Sequence, residues 1–93
     1  MVVGTVVIDI NLPGVDSLKE KRKRLKSLLA RLRNKFNIAV AEVDFNDVHR
    51  RAQIGIAVVS NDRRHADRVL AGAVRLIEGE PELVITDYRV EML

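Results

Sequence analysis

Ninety-three residues, nearly half of them apolar, set the scale of one domain over residues 1–93 with a single hydrophobic core. Cysteine and tryptophan are absent and the two histidines, His49 and His65, lie in separate segments, which excludes disulfides, thiolate metal sites and cysteine nucleophiles and argues against a histidine metal site. The net charge of +3 hides an asymmetry: in residues 17–35 nine Lys and Arg against one acid, Glu20, give +8, and the seven bases and twelve acids elsewhere give −5.

From the N-terminus, Val2, Val6, Ile8, Ile10 and Leu12 make one apolar face of an extended run and Val3, Thr5, Val7 and Asp9 the other. This is the pattern of a central strand. Pro13-Gly14 breaks it, because proline lacks a ladder donor and glycine lets the chain turn. Ser17 and Glu20 then stand at capping-box spacing, and Leu18, Leu25, Leu28, Leu29, Leu32 and Phe36 share one helical face. At about 100° per residue, Lys19, Arg22, Lys23, Lys26 and Arg33 lie along one flank and Arg24, Arg31 and Lys35 along the other. Lys21 falls inside the apolar arc, where it is expected to snorkel outward on its stem.

Residues 37–45 read as a second strand, with Ile38 and Val40 on one face and Ala39, Ala41, Val43 and Phe45 on the other. A polar hairpin connection ends in His49-Arg50-Arg51, and residues 52–60 form a third strand with Ile54, Ile56 and Val58 on one face. Ser60-Asn61-Asp62 supplies an N-cap signal for a second helix, whose stripe is Ala66, Val69, Leu70, Ala73, Val74 and Ile77. Gly79 and Pro81 stop that helix, and residues 83–90 form a last strand of open register around Thr86-Asp87-Tyr88.

Strand, helix, strand, strand, helix, strand is an α+β, ferredoxin-like βαββαβ order: a four-stranded antiparallel sheet, expected order 4-1-3-2, with both helices on one face. That topology brings the start of the first helix, the 49–51 hairpin and the 78–82 loop to one end of the domain and Arg63, Arg64 and His65 to the other. No apolar run nears the ~20 residues of a membrane span, and the N-terminus has no signal-peptide layout. A cytoplasmic protein is expected.

The string Ser17-Leu18-Lys19-Glu20-Lys21-Arg22, the run Phe36-Asn37-Ile38-Ala39-Val40-Ala41-Glu42-Val43 and the segment from Arg51 to Ser60 resemble the YlxP-like family of small bacterial proteins. The resemblance covers nearly the whole chain. It implies a ferredoxin-like fold, a function not yet assigned, and no catalytic residue to carry over. Family members are often encoded near translation and ribosome-maturation genes. Related sequences often place a tryptophan before the third strand, where this chain has His49-Arg50-Arg51.

The basic helix carries the functional expectation. Backbone amides, dipole and side chains at its start all favour an anion, and the Arg50-Arg51 hairpin is expected to widen the patch. Lys19, Lys21, Arg22, Lys23, Lys26, Arg33, Arg50 and Arg51 are therefore the candidate nucleic-acid-binding residues of a non-enzymatic RNA- or ribosome-associated module. The alternatives are a dimeric scaffold binding an acidic protein, or a solvated face balanced by Glu78, Glu80, Glu82 and Asp47. Base stacking on the sheet is not expected, because Gln53-Ile54-Gly55-Ile56-Ala57-Val58 lacks the aromatics of RNA-recognition motifs. Asn11–Val15 lacks the arginine and glycine-rich loop of acylphosphatases, and cross-strand ion pairs with Arg50 and Arg51 account for Glu42 and Asp44. No catalytic residue, metal or cofactor is expected. Val3, Val7, Ala39, Ala41, Ala57 and Val59 are expected to face away from the helices, and the second strand to be a sheet edge with little charge, so a homodimer through that face or edge is expected.

Overall fold

The computed structural model describes residues 1–93 and has the ferredoxin-like order: β1 (Val2–Asn11), α1 (Leu18–Lys35), β2 (Ala39–Asp44), β3 (Arg51–Ser60), α2 (Arg63–Glu78) and β4 (Val84–Met92). The strands form one antiparallel sheet in the order β2-β3-β1-β4, which is the expected order read from the other edge. Strict alternation sorts β1 and β3. Val6, Ile8 and Ile10 pair with Ile56, Ile54 and Ala52 and are buried under the helices, while Thr5, Val7, Asp9, Gln53, Gly55 and Ala57 take the opposite face.

Both helices begin where their caps dictate. Ser17 Oγ accepts the Glu20 amide (3.1 Å) and Asp62 Oδ1 accepts the Arg64 amide (2.9 Å). The α2 stripe, Ala66, Leu70, Ala73, Val74 and Ile77, is buried as the i, i+3, i+4 spacing requires. α1 runs beside β2, and α2 packs along β1, β3 and β4. The two helices approach through Gly72. A Cβ there would lie 2.9 Å from the Phe36 ring, so only glycine leaves room for it.

The strand ends depart from expectation at irregular backbone. β2 starts at Ala39 and stops at Asp44, because the register slips between Glu42 and Asp44 and Phe45 adopts a left-handed φ of 63°. β4 runs on to Met92, with a register shift against Asp9/Ile10 beside Thr86. Val43 lies over Gly55, where a Cβ would be 2.9 Å from its Cγ1. Close packing therefore accounts for the glycine in the third strand.

Candidate nucleic-acid interface

α1 is built as a three-sided rod. Its buried side is Lys21, Leu25, Leu28 and Leu32. One flank faces the turn before β4: Arg24 pairs with Glu82 and with Glu20 (3.0 Å), and Arg31 pairs with Glu80. The acids of the 78–82 loop thus neutralise this flank, leaving Lys35 at its end with its ammonium 5.7 Å from the Phe36 ring centroid. The outward side carries Lys19, Arg22, Lys23, Lys26 and Arg33, all exposed and none in an ion pair. From Lys19 to Arg33 the stripe is about 21 Å long at 1.5 Å per residue. Arg33 also donates to the Val40 carbonyl of the edge strand (3.3 Å).

Lys21 corrects the expectation that it snorkels outward. It is 0% exposed and its ammonium stays inside. Nζ donates to the carbonyl oxygens of Phe45 (2.7 Å) and Val48 (2.6 Å) and lies 2.7 Å from Glu42 Oε2. Two hydrogen bonds and one ion pair surround the ammonium, so the buried charge is compensated. Glu42 Oε2 is itself buried without a well-aligned hydrogen bond, which makes the ammonium its electrostatic partner. The left-handed Phe45 helps turn the 45–48 carbonyls inward, and the Val48 amide closes the turn on Phe45 O (3.0 Å). Lys21 therefore fastens the β2–β3 turn to α1 and cannot reach a phosphate.

The cross-strand pairs expected for Glu42 and Asp44 are likewise absent. Glu42 faces Lys21, and Asp44 Oδ1 accepts the Phe45 amide (2.7 Å). The reason is alternation: Glu42 is two residues from buried Val40 and shares its helix-side face. Arg50 shares the end of the domain with the start of α1, but it is engaged there, donating to Val15 O (3.1 Å) and Asp16 Oδ1 (3.3 Å). Arg51 does not widen the helical patch. It precedes buried Ala52, belongs to the open side of the sheet, and lies over the Phe45 ring at 3.9 Å. Of the eight residues expected, five form the stripe, Arg50 borders it through the α1 entry loop, and Lys21 and Arg51 lie elsewhere. A lysine in an apolar helical arc, with a glutamate on an apolar strand face, was the signal that these two residues meet.

Glu20, the one acid of the basic segment, accepts the Asp16 amide (3.3 Å) and pairs with Arg24. The Asp16 amide first and the Arg24 guanidinium second hold its carboxyl below the usual value of 4.5. It serves the cap and pairs with Arg24, with a smaller attraction to Lys23 at the margin of the outward stripe. His49 lies in the β2–β3 turn, whereas His65 Nδ1 is 3.2 Å from Ser60 Oγ at the far end. No helix is long and apolar enough to cross a membrane.

A family model described as protein of unknown function (DUF503) matches residues 3–90. The chain is similar to the "Uncharacterized protein YlxP" of Bacillus subtilis (strain 168), at 40% identity over 75 residues, covering 81% of this chain and 82% of that protein.

Proposed function

This chain belongs to the DUF503 family of proteins of unknown function, and from that premise we propose that it is a non-enzymatic, cytoplasmic module that binds the phosphates of RNA, free or within the ribosome, on the outward face of α1. One observation carries the reading: five exposed cations share that face with no acid among them, while the arginines of the neighbouring flank are paired. Folding alone disfavours such a stripe. Lys19/Lys23 and Arg22/Lys26 are like-charge i, i+4 pairs costing roughly 0.2–0.5 kcal/mol each, and Lys19 in the first turn opposes the helix dipole at about 0.3–1 kcal/mol. A polyanion along the stripe offsets these costs by attracting every one of the cations. Such contacts hold a backbone and carry little sequence information. The test is filter binding of total RNA across a salt series for the native protein and for Lys19→Glu/Lys23→Glu/Lys26→Glu. Binding should weaken steeply with salt and collapse in the variant. Binding indifferent to both would overturn the proposal.

A second reading, a dimeric scaffold whose stripe meets an acidic protein, draws on the uncovered sheet face. There Val7, Ala39, Ala41, Val43, Gly55 and Ala57 form a shallow apolar surface, with Val43 53% and Val59 65% exposed. Asp87, Arg89 and Glu91 alternate in sign along the β4 side of that face, opposite Asp9, Val7 and Thr5, an arrangement a two-fold copy can match. The β2 edge is the poorer site for a copy, because Arg33 covers Val40 O and the slipped register bends the strand end. We therefore propose a homodimer through the face in either reading. Sedimentation at micromolar concentration should give the mass of two chains, reverting to one in Ala41→Arg.

A further inference from the structure

Resting on the reading that α1 holds nucleic-acid phosphates, we infer that its ligand is a double helix, gripped on both backbones at once, and not a single strand. The shape of the site is the first ground. Single strands are held in basic grooves that track the backbone, with aromatic side chains on which bases stack. The stripe here is convex: it is the outward ridge of an 18-residue helix, and of its five cations only Lys23 borders the cleft toward the 78–82 loop.

The second ground is that none of the three aromatic side chains is placed to stack a base beside the stripe. The Phe36 ring is wedged against Gly72, with the Lys35 ammonium near its face. The Phe45 ring lies beneath the Arg51 guanidinium on the open side of the sheet. Tyr88 belongs to β4, the edge strand farthest from β2, beside which α1 runs.

The third ground is the breadth of the stripe. The five cations fan over an arc of about 100° around the axis, from Arg22 and Arg33 at one margin through Lys26 and Lys19 to Lys23 at the other. A helix is about 10–12 Å across with its side chains, comparable to the roughly 12 Å opening of a DNA major groove. The wide, shallow minor groove of an RNA duplex offers phosphates on both margins too. A fan of long cations on a rigid ridge, leaning to both margins, matches two backbones flanking a groove. A lone strand meets only part of the arc. The outward side chains are all Lys and Arg, the residue types that supply most phosphate contacts, and the grip proposed is on the backbone.

The experiment is fluorescence anisotropy on the full chain with four probes: an RNA duplex of about 16 base pairs, the DNA duplex of the same sequence, and an unstructured RNA and DNA single strand with equal phosphate number. Duplexes should bind at least about tenfold tighter than single strands, with a log–log salt slope near −4.5 for five phosphate contacts. Lys19→Gln/Lys23→Gln and Arg22→Gln/Arg33→Gln should each lower duplex affinity and leave the residual single-strand affinity less affected. An RNA duplex bound at least as tightly as the DNA duplex supports both readings, whereas a preference for the DNA duplex keeps the double-helix inference and overturns RNA as the ligand. Single strands binding as tightly as duplexes would overturn this inference and leave the RNA reading standing. Failure of all four probes to bind would overturn both.

Discussion

Lys21→Met tests how the turn beside α1 is held. Methionine keeps the length of the lysine stem and its packing but removes the ammonium. Phe45 O and Val48 O lose their side-chain donor, and Glu42, with a side chain only 16% exposed, loses its counter-charge. Breaking a buried ion pair from one side costs about 3–5 kcal/mol. Partial access of water to Glu42 sets the expectation at the low end, about 3 kcal/mol. In a domain of this size that is a drop in Tm of roughly 12–24 °C. Thermal unfolding by circular dichroism measures it, and amide exchange at Val48, whose N–H bonds Phe45 O, should accelerate beyond the global change. Adding Glu42→Leu should restore at least about 1 kcal/mol, because a buried pair replaced on both sides is often near neutral. A Tm within a few degrees of native for Lys21→Met, or strict additivity in the double variant, would refute the clamp.

Two further outcomes follow from the α1 cap. Ser17→Ala removes the acceptor for the Glu20 amide and should cost about 1 kcal/mol by denaturant unfolding, with the stripe's phosphate affinity unchanged. The depressed carboxyl of Glu20 contributes stability that is fully present above the unfolded value of 4.5 and is lost as pH falls through the lower folded value. Native protein should therefore exceed Glu20→Gln in stability at neutral pH, and the gap should close on acidification below 4.5.

The parts of the fold legible in the sequence are those governed by period. Alternation in β1 and β3 and the stripe of α2 each name the residues that are buried, and the capping box names the start of α1. The ends of β2 and β4 were less legible, because a register slip and a left-handed non-glycine residue have no periodic signature. At the site, angular position alone separates the outward cations from the buried side. It also put Lys21 in the apolar arc. What it cannot supply is the partner, since Glu42 and the carbonyls of Phe45 and Val48 lie more than twenty residues away. Arg51 adjoins Arg50 in sequence, yet strand alternation sends Arg50 and Arg51 to opposite sides. The Ser17–Arg22 string, which invites a binding role, divides in space. Ser17 and Glu20 make the cap, Lys21 makes the clamp, and only Lys19 and Arg22 face solvent as free cations.

The outward ridge of α1 as the surface that meets a polyanion can be mapped by amide and side-chain NMR of the 15N-labelled protein during titration with an RNA duplex. Shifts should be confined to Lys19, Arg22, Lys23, Lys26, Arg33 and their α1 neighbours, with the sequestered Lys21 ammonium and the open-face residues Val7, Ala41 and Ala57 unmoved. Shifts centred on the open sheet face, or none at saturating duplex, would contradict that role for the ridge.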